Sequence, residues 1–187
     1  MSSNGFIMWR EWAMPNSETF SIPVLGAFVS RHLLQSICSV DCFSRNRRWA
    51  TWTNDLNPQT EADWHMDVLD FLKMLREKEI RPDLVVFDPP YSPRQVQECY
   101  EGIGQKMSGT DALRTASWGN ERDVIAEIGT PDMTVLSFGW NSTGMGSGRG
   151  FQLLEIGMVN HGSGHNDTIC MAERRIQPRL PFGEEHP

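Results

Sequence analysis

The sequence contains no long apolar segment, no pair of cysteines at metal-binding spacing and no excess of basic residues. No run of 18 or more apolar residues occurs, and residues 1–11 lack the layout of a signal peptide, so we expect a soluble, cytoplasmic protein without a membrane span. The absence of a Cys-x-x-Cys pair favours reduced, mostly buried thiols over disulfides or zinc at the four cysteines, Cys38, Cys42, Cys99 and Cys170.

The charge balance restricts how the chain could bind nucleic acid. The formal net charge is −7, whereas nucleic-acid binders usually present a basic surface, because phosphate contacts supply most of the affinity. An acidic chain can still bind DNA through a local basic patch, and Arg45, Arg47 and Arg48 could form one. Weak binding, or binding assisted by a partner chain, is therefore an open alternative.

The length of 187 residues suits one domain with a substantial core. We predict a single domain over residues 1–175 and a disordered tail over residues 176–187, which contain Pro178, Pro181 and Pro187. No segment is long enough to form a separate target-recognition domain, and no internal repeat is evident.

An apolar run followed by an acid and two prolines organises the predicted fold. Leu84–Phe87 is a run of four apolar residues, which suits a strand buried on both faces of a parallel sheet. The strand ends at Asp88, because Pro89 and Pro90 fix φ and remove two amide donors. The result is a stiff loop at the carboxyl end of a strand, where open α/β sheets bind their ligands.

Such a loop suits chemistry on a planar exocyclic amine. The amine of a nucleobase becomes nucleophilic when acceptors hold its two hydrogens and draw the nitrogen toward sp³ geometry. Asp88 supplies a carboxylate, and Pro89 supplies a carbonyl oxygen outside any strand ladder. Tyr91 supplies an aromatic face on which a flipped base can stack, which is worth about 1–3 kcal/mol per base. With Pro90, these residues form the candidate catalytic set.

The tetrapeptide Asp88-Pro89-Pro90-Tyr91 resembles motif IV, the DPPY signature of S-adenosylmethionine-dependent amino-methyltransferases that modify adenine N6 or cytosine N4 in DNA. Over residues 14–175, the order of features is similar to that of small phage and prophage enzymes of this kind, above all the adenine N6 class. The resemblance implies a Rossmann-like class I methyltransferase fold, S-adenosylmethionine as cofactor, DNA as partner, and the cytoplasm of a bacterial or phage-infected cell. The alternative is a strand-ending Pro-Pro turn with Asp88 as a helix cap.

Two upstream segments resemble cofactor-binding motifs of the same family. Residues 15–20 precede a predicted helix, as motif X does, which implies that Thr19 and Phe20 lie near the methionine part of the cofactor. The alternative there is a plain capping loop. Asp55 follows the second predicted strand and resembles the motif II acid that bonds ribose hydroxyls, with an Asn-Asp-Pro turn as the alternative.

The resemblance to motif I is partial. Asp41 and Phe43 match it in residue type and spacing, which implies that both bind the cofactor. The glycines of the motif are absent, and Ser44, Arg45 and Asn46 stand in their place. Asn46 tolerates a left-handed conformation better than most residues, so this segment can still form a tight turn.

The chain after the DPPY loop is predicted to border the target pocket. Residues 105–119 are polar and non-periodic, as expected of a mobile lid or a substrate-contacting loop. The glycine-rich loop 141–150 lacks the Gly-Lys-Ser/Thr ending of a phosphate-binding loop. Because this loop follows the strand predicted beside the DPPY strand, Trp140 and Asn141 are candidate base contacts.

Hydrophobic periodicity and turn residues predict an α/β fold with a mostly parallel sheet and a C-terminal antiparallel hairpin. Residues 1–20 show no clear period. The predicted helices cover residues 22–34, 62–77, 93 to about 104, and 120–128. The predicted strands cover residues 36–40, 49–53, 84–87, 133–140, 151–160 and 167–174.

His161 and His165 lie four residues apart with Asp167 nearby, a set that invites a metal-binding interpretation. In a glycine-rich turn this spacing has no fixed geometry, unlike a helical His-Glu-x-x-His motif. Turn residues with satisfied hydrogen bonds are therefore favoured, and no metal is predicted.

Together with the resemblance, these residues favour transfer of a methyl group to the exocyclic amine of a flipped DNA base, most closely adenine N6. One alternative is a methyltransferase acting on RNA. Another is a non-catalytic, methyltransferase-like subunit that binds a partner or nucleic acid. Because only short segments could read sequence, we expect low or short-site specificity, or help from a protein partner or a second copy of the chain.

Overall fold

The computed structural model describes residues 5–106, 109 and 118–176. Within these residues, a seven-stranded sheet carries helices on both faces. The strands are β1 (Ile7–Trp12), β2 (Ser39–Asp41), β3 (Trp52–Thr53), β4 (Leu84–Phe87), β5 (Thr134–Gly139), β6 (Phe151–Asn160) and β7 (Thr168–Arg175). The helices are α1 (Pro23–Leu33), α2 (Val68–Glu77), α3 (Pro93–Gly102) and α4 (Gly119–Ile128), with single 3-10 turns at Thr19–Ser21 and Ser147–Arg149.

The strand order across the sheet is β1-β6-β7-β5-β4-β2-β3. Strand β7 runs antiparallel to both of its neighbours, β5 and β6, and the other pairings are parallel. The turn between β6 and β7 contains Gly162 and Gly164, whose φ values of 80° and 89° let a short segment reverse the chain. The predicted α/β fold, Rossmann-like and mostly parallel with a C-terminal antiparallel hairpin, is confirmed.

Strand β4 lies between β5 and β2, and all four of its residues are buried. Val85 and Phe87 pack into the cluster that contains α2 and α4, whereas Leu84 and Val86 pack into the cluster that contains α1. Burying each such side chain contributes about 1.5–3 kcal/mol of transfer free energy. Burial on both faces is the reason that this segment is apolar at every position.

The predicted helix over residues 62–77 begins later, at Val68. The side chain of Asp67 accepts a hydrogen bond from the amide of Leu69 (2.9 Å) and so caps the helix at that point. Before the cap, the side chain of Asn54 bonds both the amide (3.1 Å) and the carbonyl (3.2 Å) of Met66, which holds this segment beside β3. The helical spacing of apolar residues in the sequence therefore starts before the first residue of the helix.

Two predicted strands are shorter in the structure. The strand predicted from residue 36 begins at Ser39, because the carboxylate of Asp83 accepts hydrogen bonds from the amides of Ile37 (2.8 Å) and Cys38 (3.2 Å). The strand predicted over residues 49–53 is reduced to Trp52–Thr53. Their carboxyl ends, which position the candidate site, agree with the prediction to within one residue.

Strand β1 was not predicted. It pairs in parallel with β6 at the edge of the sheet, and all of its residues except Trp9 are exposed. The indole of Trp9 packs over Gly157, where an added Cβ would collide with the ring, and donates a hydrogen bond to Glu155 (2.5 Å). A strand exposed on both faces lacks the alternation that reveals strands in sequence.

Two further predictions fall on residues outside the described ranges. The tail after residue 176 and most of the lid predicted over residues 105–119 belong to this part of the chain. Among the helices in the described ranges, none has the length and apolar character needed to cross a membrane.

Candidate active site

Three acidic residues follow the carboxyl ends of three adjacent parallel strands. Asp41 is the last residue of β2, Asp55 lies two residues beyond β3, and Asp88 directly follows β4. Their charges interact, because Asp88 and Asp55 both raise the pKa of Asp41 in addition to the larger effect of its burial. The sheet topology therefore brings together the three acids that were predicted from sequence.

Asp88 is half-buried, and hydroxyl groups surround its carboxylate. The phenol of Tyr91 donates to Asp88 Oδ1 at 2.5 Å. Burial raises the pKa of Asp88 to about 6, although the hydroxyls of Tyr91 and Thr19 and the charge of Arg45 act in the opposite direction. The carboxylate is thus predominantly ionised at neutral pH and can be protonated in mildly acidic solution.

The Pro-Pro corner lies beside a cavity of about 150 Å³. Pro89, Pro90 and Tyr91 form one wall, and the loop after β5 contributes Trp140 and Asn141. The rings of Tyr91 and Trp140 meet nearly edge to face, with centroids 5.7 Å apart and an interplanar angle of 70°. Three of the four candidate catalytic residues therefore share one cavity with the two candidate base contacts, and Asp88 is joined to that wall through its hydrogen bond with Tyr91.

The loop after β4 is held in a defined shape by α3. Pro93 occupies the first turn of this helix, and Ser92 caps it by accepting a hydrogen bond from the amide of Gln95 (3.3 Å). The side chain of Gln95 in turn accepts a hydrogen bond from the amide of Tyr91 (2.6 Å). These contacts fix the position of Tyr91 relative to Asp88.

Asp41 differs from Asp88 in having no exposed surface (0%). Its carboxylate accepts a hydrogen bond from the indole of Trp49 at 2.6 Å and from the amide of Phe43 at 3.2 Å. Burial raises the pKa of Asp41 to about 7 despite these two donors. Phe43 is partly buried and packs against the core cluster, with its ring centroid 5.5 Å from that of Phe87 and 5.6 Å from that of Trp118. Whether either residue touches a cofactor stays a prediction.

The loop after β2 contains a left-handed residue, but it is Arg45 and not Asn46. Arg45 has φ of 52°, and its amide donates to the carboxylate of Asp55 (3.0 Å). Asn46 instead uses its side chain to accept the amide of Glu61 (3.1 Å). The tight turn that the sequence allowed is therefore present, but its left-handed residue is Arg45, where the contact with Asp55 stabilises the turn.

The two residues predicted before α1 have different environments. The hydroxyl of Thr19 interacts with both Asp88 and Tyr91, which places it in the candidate site. Phe20 is buried, with its ring between Trp49 (5.0 Å) and Phe138 (4.9 Å). Phe20 thus packs in the core directly behind the site.

The suggested basic patch is largely neutralised by neighbouring groups. Arg45 forms an ion pair with Glu18, and Arg48 forms one with Asp63. Arg47 lies over the ring of Trp49 (5.1 Å) and donates to the hydroxyl of Ser21 (3.1 Å). Two of the three positive charges are thus paired with acids, and only that of Arg47 has no carboxylate partner in the described ranges.

The glycine-rich loop is anchored to the sheet by an acid of β7. The carboxylate of Glu173 accepts hydrogen bonds from the amides of Met145 (2.6 Å) and Gly146 (2.9 Å). These amides form the kind of concave donor site that binds anions, and Glu173 already fills it. The loop therefore shapes the cavity wall through Gly144 and Asn141.

His161 has a partner at each ring nitrogen. Its Nδ1 lies 2.9 Å from the carbonyl oxygen of Ala13, and its Nε2 lies 2.9 Å from the hydroxyl of Thr168. Within the part of the chain that the structure describes, no group of three or more histidine, cysteine or acidic residues is placed to hold a metal ion.

Sequence reasoning missed three residues of the site, Glu18, Trp49 and Ser137. Ser137 lines the cavity, is 2% exposed, and its hydroxyl has no hydrogen-bond partner in the described ranges. A serine within the apolar strand β5 is a signal that could have been used. Glu18 and Trp49 act through tertiary contacts that leave no local pattern.

Comparisons with known proteins identify the fold. No protein-family model matches the chain, and no curated protein matches it. Three solved structures align with TM-scores of 0.55, 0.50 and 0.54 and identities of 12%, 14% and 13%. They are SMU.776, a candidate methyltransferase complexed with SAH; a candidate SAM-dependent methyltransferase from Streptococcus mutans; and TrmN from Thermus thermophilus.

The alignments cover most of this chain but only part of each solved structure. They span 79%, 79% and 84% of this chain and 48%, 48% and 50% of the matched chains. This chain thus spans about half the length of the structures it matches. At such low identity the likeness shows the fold alone, which is that of Rossmann-like methyltransferases.

Proposed function

We propose that this protein transfers a methyl group from S-adenosylmethionine to the exocyclic amine of a nucleobase, with adenine N6 in DNA as the target. The observation that carries the proposal is the Asp88-Pro89-Pro90-Tyr91 corner, which ends a central strand and opens onto a cavity. The fold shared with SAM-dependent methyltransferases supports it.

The residues that follow β3 and β4 fit a cationic cofactor. Burial raises the pKa of Asp88 to about 6, because the hydroxyls of Tyr91 and Thr19 and the charge of Arg45 only partly offset the loss of hydration. The sulfonium and ammonium groups of S-adenosylmethionine would offset the negative charge of this carboxylate. In this proposal Asp55 would accept the ribose hydroxyls and Thr19 would contact the methionine part.

The chain's own groups would orient the amine. When bound, S-adenosylmethionine supplies an electrophilic methyl group. The carboxylate of Asp88 and the carbonyl oxygen of Pro89 accept the two hydrogens of the amine, which leaves the nitrogen lone pair free to react. Because its pKa lies near 6, Asp88 is ionised at neutral pH and can take up the proton that the amine releases.

The aromatic groups would hold the base. Tyr91 and Trp140 border the cavity with their rings nearly perpendicular, so a planar base can stack on one ring and meet the edge of the other. The Tyr91 hydroxyl keeps the Asp88 carboxylate in one orientation before the substrate arrives. Cysteine chemistry is not required, because direct transfer to an amine needs no thiol nucleophile.

The test is incubation of the protein with labelled S-adenosylmethionine and unmethylated duplex DNA, single-stranded DNA or RNA, followed by nucleoside mass spectrometry. We expect N6-methyladenine in DNA, and far less product from Asp88→Asn protein. Product confined to RNA would transfer the activity to the RNA alternative. Absence of Asp88-dependent product on every substrate would overturn the proposal.

A second experiment addresses sequence specificity. In the described ranges, the cavity rim includes residues of the short loops after β4 and β5. We therefore propose low or short-site specificity, or dependence on a protein partner or second copy. Mapping methylated positions in random-sequence DNA checks this, and a long, sharply defined site made by the lone protein would contradict it.

A non-catalytic subunit is the second candidate function. The observation that favours it is the ion pair of Arg45 with Glu18, which joins two loops across the ends of the strands where a cofactor would enter. Titration calorimetry with S-adenosylmethionine separates the two candidates. Measurable binding supports the enzyme, whereas absence of binding together with retained DNA or protein binding supports the subunit.

A further inference from the structure

Arg45 occupies the turn after β2 in a conformation that a side chain rarely adopts. Its φ of 52° is left-handed, a region that favours glycine. Two neighbouring contacts hold the turn: the amide of Arg45 donates to Asp55 (3.0 Å), and the amide of Ser44 donates to the carbonyl of Asn54 (2.9 Å). A left-handed arginine is uncommon, so the contacts of its side chain are the place to look for a role.

The guanidinium of Arg45 reaches across to the segment before α1. Its Nη1 atom donates to the carbonyl of Ser17 (2.9 Å) and forms the ion pair with Glu18. Both contacts use the same nitrogen. In the described part of the chain, Nε and Nη2 of Arg45 make no hydrogen bond. A guanidinium can bind a carboxylate through two parallel N–H bonds, and Arg45 therefore still has donors for such a pair.

Replacing Glu18 as the ion-pair partner of Arg45 would cost little stability. The side chains of Arg45 and Glu18 are 49% and 46% exposed, and exposed ion pairs contribute little to stability. A second carboxylate could therefore replace Glu18, provided that it met the guanidinium with two oxygens. The carbonyl of Ser17 would keep the arginine in place during the exchange.

The charges around Arg45 define which ligand would bring that carboxylate. Arg45 is surrounded by the acids Glu18, Asp55 and Asp88. In a ligand that bears both groups, an ammonium group would lie near the acids and a carboxylate would lie near Arg45. The amino-acid end of S-adenosylmethionine has this charge pattern.

We infer that Arg45 binds the carboxylate of the methionine part of S-adenosylmethionine and exchanges Glu18 for it. This inference rests on the proposed function. It assigns Arg45 to ligand binding, in place of the nucleic-acid patch suggested by the cluster of Arg45, Arg47 and Arg48. It also explains why a chain without the glycines of motif I retains a left-handed residue in that loop.

The test compares two ligands that differ only in the carboxylate. S-adenosylmethionine and decarboxylated S-adenosylmethionine are both sulfonium cations, and their affinities are measured by titration calorimetry without nucleic acid. We expect wild-type protein to prefer the carboxylate-bearing ligand by about 10- to 100-fold. Arg45→Gln should abolish that preference and change the affinity for the decarboxylated ligand by less than about threefold.

Three further variants separate loss of the guanidinium from a change in the conformation of the loop. Arg45→Gly removes the guanidinium while matching the left-handed backbone, so it should behave as Arg45→Gln does. Arg48→Gln is the matched control, because Arg48 belongs to the same loop and is paired with Asp63. It should leave both affinities unchanged. Glu18→Gln should keep or modestly raise the affinity for S-adenosylmethionine, because a competing carboxylate is removed.

The outcomes distinguish this inference from the proposed function. If the wild-type protein binds both ligands equally, or if Arg45→Gln and Arg45→Gly weaken both equally, Arg45 shapes the loop and does not bind the carboxylate. If the wild-type protein binds neither ligand, the proposed cofactor is wrong and the inference falls with it. Loss of the preference in both Arg45 variants and its retention in Arg48→Gln supports the inference.

Discussion

Two aspartates follow neighbouring buried strands, yet their environments differ. Asp41 at the end of β2 is fully buried and is held by the indole of Trp49 and the amide of Phe43. Asp88 at the end of β4 is half-buried, is held by the hydroxyl of Tyr91, and lies beside a cavity. Burial is the main cause of the raised pKa at both positions.

The difference lies in what the following residues can do. After Asp41, the chain turns back, and Trp49 lies over the carboxylate. After Asp88, two prolines prevent such a return, because they cannot donate to a neighbouring strand and their φ angles are fixed. The Pro-Pro corner thus keeps one carboxylate accessible, while an otherwise similar carboxylate becomes part of the core. Replacing the accessible acid should mainly change methyl transfer, whereas replacing the sealed acid should mainly change the free energy of unfolding.

The largest expected effect is on catalysis at Asp88. Asp88→Asn replaces an acceptor with a group that also presents N–H donors, so it should lower methyl transfer by about 10²- to 10³-fold. Because Asp88 is proposed to act on the amine, binding of S-adenosylmethionine should change by less than about tenfold. Single-turnover assays with labelled cofactor, together with calorimetry, measure the two quantities separately.

Asp41→Asn is the matched control for that substitution. Its side chain is sealed, so transfer should stay within about fivefold of the wild-type rate, provided that the variant folds as judged by circular dichroism. Equal losses of transfer in the two variants would remove the distinction between an accessible and a sealed acid. Unchanged turnover in Asp88→Asn would exclude Asp88 from the mechanism.

The second expected effect is on stability and concerns Asp41. Its folded pKa is about 7, whereas an unfolded aspartate titrates near 3.9. The folded state therefore holds the proton more tightly, and the free energy of unfolding falls as pH rises from about 4 to about 7. Asp41→Asn has no carboxyl to titrate at this position. The free energy of unfolding of the variant minus that of the wild type should therefore rise by on the order of 2 kcal/mol between pH 5 and pH 8.

Urea unfolding at pH 5, 6, 7 and 8 measures this difference. The difference in free energy of unfolding between Asp88→Asn and the wild type should stop rising at about pH 6.5, because the pKa of Asp88 is about 6. A difference between Asp41→Asn and wild type that does not depend on pH would show that the Asp41 carboxyl is already ionised at pH 5.

The comparison also indicates how far sequence reasoning can reach. The strand ends were predictable, since an apolar run followed by an acid marks a strand that leaves the core at its carboxyl end. Which acid stays accessible was not predictable from that pattern alone. It depends on Trp49 and on the Arg45 contact with Glu18, which lies 27 residues earlier in the chain. Such contacts form only after the sheet has assembled.

The same limit applies to the fold. Helices α1 and α3 were predicted to within two residues, because proline begins both and their apolar spacing is regular. Strand β1 was missed because its side chains are exposed on both faces. Helix α2 was predicted too long because the side chain of Asn54, the residue after β3, holds Met66 out of the helix. Local patterns located the elements, and tertiary hydrogen bonds set their limits.

The smallest expected effect separates the hydroxyl of Tyr91 from its ring. The hydroxyl helps to hold down the pKa of Asp88, so Tyr91→Phe should raise that pKa above about 6 while keeping an aromatic face for the base. Transfer should fall about threefold at pH 6 and stay within about twofold at pH 8.5. Tyr100→Phe, which alters the chain's other tyrosine, should leave the pH–rate profile unchanged. If Tyr91→Phe lowers the rate equally at both pH values, the hydroxyl acts on the substrate and not through the ionisation of Asp88.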